Sequence, residues 1–587
     1  MITVLFAAFL PILPQTSAAP AEEPAAESVL EVYDLRPLMP RFDAGPSWSR
    51  SLVLAPGNRW RDRESSLAYL PQVEEGGADV IVDLLTESLG DELRFEGRQI
   101  SLEAEGRLLV VAPPAVQERV AATLAAFAAV LASSVQLTVD ILDLEGSLGD
   151  AWPAASFLPA EAVERAIATA LGRGGAHRRF QVGLSAGRTA GLDQMRRFPI
   201  VFDYDVEIAQ GSFVPDPVVL EIEEGVRILL RGAPQAGGLA LSVVFQSGAS
   251  LGVKEHPVKL GGAVSREDRG GLTSVLGPQS FQAVDLLARA AAFDTFLPDG
   301  QALVFAAQDD LGGKQAAQIV YLRRSGGEVA AQRVQKLPGS TQTLLLVNSE
   351  SVVPPAMTVY LDRTEREEPF DFHPDLQAVL SVEPSLFLFD WISNRFVAWR
   401  RLGPWAVMIT DPAWDRDAAP ALEALLASWK PRREVLGLEV TLSVQGGHPR
   451  VPVRWRLPVR PGSACGLLLA VSGSTLVDFD VEVAQFACVA DPQVAPTFDG
   501  LCLAVTPSVV AGGTALDVRG LARLLARGPR PTFDPQHDVI GAVDQVAGDR
   551  LVIDERRVVG GAPASLVVGG DAKEGDRSVL RLEIGVR

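Results

Sequence analysis

Few residues of this 587-residue chain combine the type and spacing that chemistry requires. The run Gly183-Leu-Ser185-Ala-Gly187 matches the nucleophile elbow, in which a strained strand-to-helix turn presents a serine to a histidine base. The residues that follow, 188–192, do not have helical spacing. We therefore expect no hydrolase, no catalytic residues and no enzyme.

Alternating carboxylates form a second candidate. Asp203, Asp205 and Glu207 would share one face of a strand, roughly 6.7 Å apart along the chain. The triplet recurs at Asp478, Asp480 and Glu482. Such oxygens could hold Ca²⁺ or Mg²⁺ if a loop supplied further ligands. A solvated polar face opposite Tyr204, Val206 and Ile208 explains the pattern more simply, so we expect no metal and no cofactor.

Histidine and cysteine add no recognisable ligand set. The five histidines, which we interpret as surface residues, are His177, His256, His373, His448 and His537. The three cysteines, at spacings that match no zinc or redox motif, are Cys465, Cys488 and Cys502. A bridge between Cys488 and Cys502 is one reading, and buried thiols are the preferred one.

Tryptophan is denser between residues 391 and 414 than elsewhere. The residues are Trp391, Trp399, Trp405 and Trp414. They could stack on a carbohydrate, but we favour contacts in a core or between subunits, because apolar aromatic area is usually buried.

Charge and composition exclude broad classes. The chain has 73 acidic and 53 basic residues, and its net charge of −20 repels a phosphate backbone, so no nucleic-acid partner is expected. Hydrophobic residues make up 47%, as in a folded protein, while 53 glycines and 41 prolines favour many turns and β-structure.

The N-terminus has the character of a signal peptide. An apolar run at 2–13 is followed by small residues, which predicts cleavage near Ala18 or Ala19, although the usual positive residues before the run are missing. We expect an exported protein, either periplasmic or associated with an outer membrane.

The chain contains an internal repeat. Residues 203–243 align without a gap on residues 478–518 at a constant offset of 275, and 17 of the 41 positions are identical. Matched features include Asp203-Tyr-Asp-Val-Glu-Ile-Ala-Gln210 with Asp478-Phe-Asp-Val-Glu-Val-Ala-Gln485, and Gly225 with Gly500. Duplication is the simplest explanation.

A looser repeat precedes each copy. Residues 107–114 read as a buried strand, 115–131 as a helix and 135–142 as a strand; residues 405–412, 418–429 and 438–444 repeat this order. Further on, Gly225 and the pair Gly237-Gly238 are predicted to be turns before short strands at 226–230 and 239–245. Strands are also expected at 302–306, 318–322 and 343–347.

These residues suggest a family. The run 107–127, followed by Val135-Gln-Leu-Thr-Val-Asp-Ile-Leu142, resembles the periplasmic ring-forming modules of bacterial type II and type III secretion-system secretins. The later Asp216-Pro217, Gly225 and Gly237-Gly238 are similar to early strands of the secretin domain. The resemblance implies ring assembly and an outer-membrane channel for protein secretion. Duplication in one chain, and the lack of the family's Val-Pro and Leu-Gly strand ends, are departures from its pattern.

We therefore predict an α+β, mainly β fold with two strand-helix-strand modules, each followed by a β-rich module. The predicted limits are a signal peptide at 1–19, an α+β module at 29–145, a β-rich module at 146–250, a connecting β-rich region at 251–364, a second α+β module at 365–445 and a second β-rich module at 446–587.

Two functions fit this architecture. The first is a non-enzymatic exported protein that self-assembles or associates with secretion-system proteins. The second is a monomeric periplasmic or extracellular protein that binds a ligand or polymer.

Overall fold

The computed structural model describes most of the repeated region and parts of the rest. The described residues are 27–36, 38, 51–54, 78–93, 98–103, 106–131, 134–146, 148, 152–185, 189–209, 212–235, 237–258, 261–264, 272–273, 279–311, 315–328, 332–336, 341–348, 358–361, 398–402, 405–410, 434–445, 453–484, 487–525, 548–560, 564–569 and 579–586. The predicted signal peptide and the second predicted helix (418–429) lie outside them.

Strands dominate, which confirms the mainly β, α+β prediction. The α-helices are α1 (Ala78–Leu89), α2 (Pro114–Leu131) and α3 (Val163–Leu171). The strands are β1 (Val29–Asp34), β2 (Ser51–Leu54), β3 (Gln99–Glu103), β4 (Arg107–Ala112), β5 (Ser134–Glu145), β6 (Phe157–Pro159), β7 (Gly175–Ser185), β8 (Thr189–Ala209), β9 (Ser212–Gln235), β10 (Gly238–Val258), β11 (Gly261–Val264), β12 (Leu272–Thr273), β13 (Gln279–Pro298), β14 (Gln301–Asp309), β15 (Ala316–Glu328), β16 (Gln332–Lys336), β17 (Thr343–Asn348), β18 (Thr358–Leu361), β19 (Ala398–Leu402), β20 (Trp405–Thr410), β21 (Leu436–Gln445), β22 (Val453–Val459), β23 (Cys465–Ala484), β24 (Ala487–Val510), β25 (Gly513–Leu525), β26 (Gly548–Gly560), β27 (Ala564–Gly569) and β28 (Val579–Val586).

The predicted strand-helix-strand order of the first half is confirmed by β4, α2 and β5. Alternate side chains of β4 (Leu108, Val110) point into the core, and Pro114 occupies the first turn of α2, where its missing N–H costs nothing. Val120 and Phe127 belong to the buried stripe of α2. In the second half, β20 and β21 match the two predicted strands.

Two large sheets form the body of the molecule. The ten-stranded sheet contains the consecutive neighbours β8-β9-β10-β13-β23-β24-β25-β26, with β11 and β12 added beside β24. The nine-stranded sheet has the order β27-β28-β21-β22-β14-β15-β5-β7, with β6 beside β14. The strands predicted at 302–306 and 318–322 are β14 and β15 of this second sheet.

The two sheets pack face to face. Phe305 of the nine-stranded sheet meets Phe245 and Phe293 of the ten-stranded sheet in edge-to-face contacts with ring centroids 5.5 and 5.3 Å apart. On the outer side of the nine-stranded sheet, Val163 and Ile167 of α3 cover a second apolar cluster. The central strands are therefore buried on both faces, which explains their nearly continuous apolar sequences.

The same strand geometry occurs at positions 275 residues apart. Pairing of β8 with β9 shifts register between Val201 and Asp203, and pairing of β23 with β24 shifts between Leu476 and Asp478. Both hairpins then continue in the same register to their turns, where Ala209 faces Ser212 and Ala484 faces Ala487. Sequence identity and backbone irregularity thus follow one offset.

Gly225 is not the turn that the sequence predicts. It lies inside the 24-residue strand β9 with φ +137°, and Gly500 lies inside β24 with φ +151°. A Cβ on Gly225 would lie 2.1 Å from the carbonyl oxygen of Gln194, and one on Gly500 would lie 2.2 Å from that of Leu469. Close approach of the neighbouring strand therefore requires glycine, and the predicted short strands are parts of strands more than 20 residues long.

We expect Gly225→Ala and Gly500→Ala each to lower the free energy of unfolding by about 2 kcal/mol or more, because each adds strain and a backbone clash. Chemical denaturation would measure this. Gly326→Ala is the matched control: a Cβ there meets nothing within 4 Å, so a change within about 0.5 kcal/mol is expected. Equal effects at all three sites would contradict the assignment.

Candidate assembly interface

The two halves of the chain join through direct strand pairing. In the ten-stranded sheet, β13 pairs antiparallel with β23 from Leu286 opposite Ser472 to Ala292 opposite Gly466. Alanine and leucine side chains make up most of this contact, and Ala290 faces Leu468 with both almost fully buried. In the nine-stranded sheet, β14 pairs with β22 over three residues on each strand. We call these two pairings the half-to-half junction.

A buried ion pair links the two sheets at this junction. Arg289 of β13 donates through Nε and Nη2 to Oδ2 of Asp309 in β14, at 3.1 and 2.9 Å. Asp309 is fully buried and Arg289 nearly so. Burial raises the pKa of the Asp309 carboxyl, and the Arg289 guanidinium opposes that rise. The arginine therefore offsets the cost of placing a carboxylate between the sheets.

A second buried pair closes the start of β23. The backbone N–H of Arg460 donates to the carbonyl oxygen of Asp294 at 2.7 Å, and Arg460 Nη2 lies 3.5 Å from Asp294 Oδ2. Ser242 Oγ donates to Asp294 Oδ1 at 2.5 Å. A strand of the first half thus positions the residues that connect β22 to β23 in the second half.

Glu439 supports the nine-stranded side of the junction. It accepts hydrogen bonds from Arg454, at 2.6 Å, and from Arg456, both on β22. Burial raises the pKa of Glu439, but the hydrogen bonds and charges of Arg456 and Arg454 outweigh it, so the net pKa is lowered. Arg454 also lies over the ring of Trp152, 4.8 Å from its centroid.

Each large sheet also ends in strands without a described neighbour on one side. Within the described ranges these end strands are β8, β12 and β26 in the ten-stranded sheet, and β7 and β27 in the nine-stranded sheet, where the short β6 also pairs with β14 alone. Residues 191–197 of β8 are mostly exposed, although their repeat equivalents in β23, residues 466–472, form the junction and are buried from 466 to 470. The same strand position is therefore covered in one half and open in the other.

Another charged cluster attaches α3 to the nine-stranded sheet. Asp140, fully buried in β5, accepts hydrogen bonds from His177 Nε2 at 2.9 Å and Arg179 Nε at 2.5 Å. Arg179 and Arg323 both reach Glu164 of α3 and lower the pKa of its carboxyl. The interpretation of His177 as a surface residue is wrong, because it is half-buried against Asp140.

The structure separates the sequence-derived candidates. Ser185 ends β7 opposite Ser134, and the next described residues, from Thr189, form a strand, not the helix that a nucleophile elbow needs. The two carboxylate triplets lie on β8 and β23. The backbone register places Asp205 opposite Asp216 and Asp480 opposite Asp491, and the solvated face stays a prediction.

Cysteine geometry excludes the bridge within one chain. Cys488 and Cys502 lie on the same strand, β24, so their 14-residue separation spans roughly 46 Å, far beyond the reach of a disulfide. Cys465 and Cys502 are buried thiols. Burial raises the pKa of Cys465 to about 12, which disfavours a reactive thiolate.

Most of the tryptophan and histidine candidates lie outside the residues that the structure describes. These five are Trp391, Trp414, His373, His448 and His537. Trp399 and Trp405 lie on β19 and β20, so both the carbohydrate-stacking surface and the favoured core or subunit contacts stay predictions. In the part of the chain that is described, no group of three or more His, Cys, Asp or Glu side chains is arranged to hold a metal ion. Within the same ranges, no helix combines the length and apolar character needed to cross a bilayer.

Sequence reasoning missed the junction residues Arg289, Asp294, Asp309 and Arg460. One signal was present: Arg289 and Asp294 interrupt an otherwise apolar run, residues 286–297. A charge in such a run predicts a buried partner, although the run does not identify which residue supplies it.

Comparison with known proteins gives weak similarity to secretins. A secretin-domain β-barrel of InvG from the Salmonella SPI-1 injectisome is 14% identical, with 51% of this chain and 85% of that chain covered and a TM-score of 0.21. GspD from an ETEC pilotin–secretin complex is 11% identical over 43% and 60%, with a TM-score of 0.20. ExeD of Aeromonas hydrophila is 10% identical over 96% and 89%, with a TM-score of 0.16. Values this low establish neither a shared whole fold nor a shared function.

No family model matches the chain. No curated protein matches it either.

We expect Arg289→Met to lower the free energy of unfolding by about 3 kcal/mol, because it leaves the buried Asp309 carboxylate without its cation. The double variant Arg289→Met/Asp309→Leu should recover part of this loss. Arg324→Met, which removes an exposed pair with Asp299, is the control and should change stability by less than about 1 kcal/mol. If Arg289→Met were as stable as Arg324→Met, the Arg289–Asp309 pair would not stabilise the fold, and the prediction would be wrong.

Glu439→Gln should reduce stability at pH 7 by about 2 kcal/mol, because charged hydrogen bonds from two arginines become neutral ones. A carboxyl with a lowered folded-state pKa stabilises above its unfolded pKa and loses that contribution as pH falls through the folded value. The difference from wild type should therefore shrink between about pH 5 and pH 3. Thermal melting across this range checks it, with the exposed Glu583→Gln as control; a difference independent of pH would contradict the assignment.

Proposed function

We propose that this chain is a non-enzymatic, secretin-like component of a bacterial envelope that acts by self-assembly or by association with an outer-membrane secretion apparatus. The proposal includes export across the inner membrane, in keeping with the signal-peptide character of residues 1–19. The proposal names no cargo, because none of the described residues forms a recognisable cargo-binding site.

The half-to-half junction carries the proposal. Two similarly built halves already associate through strand pairing in both sheets, and both sheets end in strands that lack a described neighbour on one side. An unpaired strand offers a row of backbone donors and acceptors to another chain. We therefore infer that contacts between chains resemble the half-to-half junction within one chain.

The repeated unit in this proposal runs from β5 to β15 in the first half and from β21 to β28 in the second. The order of strands supports this division: β8-β9-β10-β13 and β23-β24-β25-β26 are consecutive blocks of four in one sheet. In the other sheet, β7-β5-β15-β14 and β22-β21-β28-β27 are consecutive blocks in matching order. Each chain would then contribute two tandem units to an assembly.

Residue chemistry agrees with assembly more than with catalysis. The buried charged residues Arg289, Asp309, Asp294 and Asp140 all form ion pairs with residues of other segments. These pairs join the two sheets, the two halves and the strands of one sheet. The alternative, a monomeric binding protein, depended on a tryptophan surface whose side chains are not described. We therefore favour assembly.

Native mass tests the proposal. We expect the mature protein, extracted from producing cells with mild detergent, to form a particle of many copies that persists over a hundredfold dilution. Light scattering coupled to size exclusion would measure its mass, and denaturant-unfolded chain run in parallel gives the single-chain reference. A monodisperse monomer at every concentration would contradict assembly and support the binding alternative.

A further inference from the structure

We propose that the open edge of β1 binds an extended segment of a partner protein, which adds to the small sheet β1-β4-β3 as a fourth strand. The segment has basic side chains on the face toward α2 and apolar side chains on the opposite face. This surface lies outside the half-to-half junction, and the ligand comes from a different protein, so the inference goes beyond self-assembly.

The second strand-helix-strand module shows where the added strand lies. Its strands β17-β20-β19 have the same order as β1-β4-β3, and β4 and β20 match in the looser repeat. Val29 lies opposite Ala112 and Thr343 opposite Thr410, so β1 and β17 correspond at an offset of 314. On its other side β17 pairs with β16, whereas β1 has no described neighbour there. The same edge is therefore filled in one module and open in the other.

Backbone groups of β1 point to this open edge. Leu35, directly after β1, donates its backbone N–H to the Gly106 carbonyl at 2.9 Å, so it bonds toward the start of β4. In an antiparallel pair, the bonds to one neighbour come from alternate residues. The odd-numbered residues of β1 therefore bond toward β4, and the N–H and C=O groups of Leu30 and Val32 point to the open edge, where an added strand would pair with them.

A groove lies between β1 and the first two turns of α2. Its volume is about 310 Å³, and it is lined by Val29, Glu31, Pro114, Gln117, Glu118 and Ala121. Gln117 holds the helix beside the strand, because its Nε2 donates to the Val29 carbonyl at 2.8 Å and its Oε1 lies 2.9 Å from Tyr33 Oη. We call this the β1–α2 groove. A strand added to β1 would direct alternate side chains into it.

The β1–α2 groove favours basic side chains. Its charged residues, Glu31 and Glu118, are both exposed carboxylates, and none of its lining residues is basic. The N-terminal N–H groups of a helix repel cations, but those of Val116 and Gln117 already donate to the Pro113 carbonyl, at 2.9 and 3.1 Å. Negative charge from the two carboxylates therefore dominates the groove.

The other face of β1 favours apolar side chains. Leu30 and Val32 are 56% and 58% exposed, although both are large and apolar. In the second module, Leu344, the counterpart of Leu30, is fully buried. Apolar residues opposite Leu30 and Val32 in an added strand would remove part of this exposed surface from water.

The register of β16 gives the residue pattern of the ligand. Val334 of β16 lies opposite Leu345, whose counterpart in β1 is Glu31, so a basic residue replaces the apolar one at this position. Lys336 lies opposite the counterpart of Val29, so the next groove position is basic in both modules. In the antiparallel direction of β16, the ligand therefore reads Thr-Val-Lys-Val-Lys, with its two Val residues opposite the exposed apolar residues of β1.

A labelled peptide, Ser-Thr-Val-Lys-Val-Lys-Ser, tests the site on the full chain by fluorescence anisotropy at low salt. We expect saturable binding of one peptide per chain, and binding at least about tenfold weaker when both Lys are replaced by Glu. Glu31→Gln/Glu118→Gln should weaken the lysine peptide about fivefold. Glu103→Gln, on the far edge strand β3, is the control and should leave affinity unchanged. Glu31→Lys/Glu118→Lys should reverse the preference between the two peptides.

N-methylation of the peptide separates strand addition from charge attraction alone. Methyl groups on the two Val nitrogens, which would face Leu30 and Val32, should abolish binding, because each removes a donor and clashes with β1. Methyl groups on the two Lys nitrogens, which point away from β1, should change affinity by less than about twofold. Val32→Pro removes one donor from the open edge, where proline is tolerated, and should prevent binding without a large loss of stability.

Equal affinities for the two methylated peptides, or for the lysine and glutamate peptides, would overturn the inference. Absence of saturable binding to the wild-type chain at about 1 mM lysine peptide would do the same. Native mass separates this inference from the proposed function. A monomeric chain that binds the lysine peptide contradicts assembly and supports the strand site, whereas a multimeric chain that does not bind it supports assembly and overturns the site.

Discussion

Antiparallel pairing of β13 with β23 sets the position of every other strand in the repeated region. It brings the last long strand of the first half beside the first long strand of the second, and so makes one ten-stranded sheet from two blocks of four long strands and two short additions. The short pairing of β14 with β22 does the same for the nine-stranded sheet. In each sheet the strands of the first half meet those of the second at a single pairing, and the two pairings involve neighbouring strands along the chain. The block of each half in one sheet therefore stacks on the block of the same half in the other sheet.

The buried Arg289–Asp309 ion pair follows from the way in which the two sheets stack at the half-to-half junction. Once β13 and β14 are covered on both faces, a polar side chain on either strand needs a partner from the facing sheet, and Arg289 with Asp309 meets that need. Such pairs contribute less through net attraction than through the penalty for any arrangement that separates them. They therefore favour one relative placement of the two sheets over sliding alternatives.

Sequence predicts some of this structure well and some of it poorly, for identifiable reasons. The identity between 203–243 and 478–518 predicts that the β8–β9 and β23–β24 hairpins share a register, and both carry a shift at the same repeat position. Strand length was mispredicted, because a glycine such as Gly225 has the same signature whether it forms a turn or admits a neighbouring backbone inside a strand. The partner of Arg289 depends on how two sheets stack, which local periodicity does not encode.

The central claim is that the junction inside the chain also describes the contact between chains. Single-particle electron microscopy of the extracted protein tests it most directly, by comparing the number of chains in a particle with the number of its repeated strand blocks. The account predicts a particle of many copies in which each chain spans two similar blocks, so that the blocks number twice the chains. A particle in which β8 and β26 of the same chain lie against each other, closing the sheet within one copy, would contradict it.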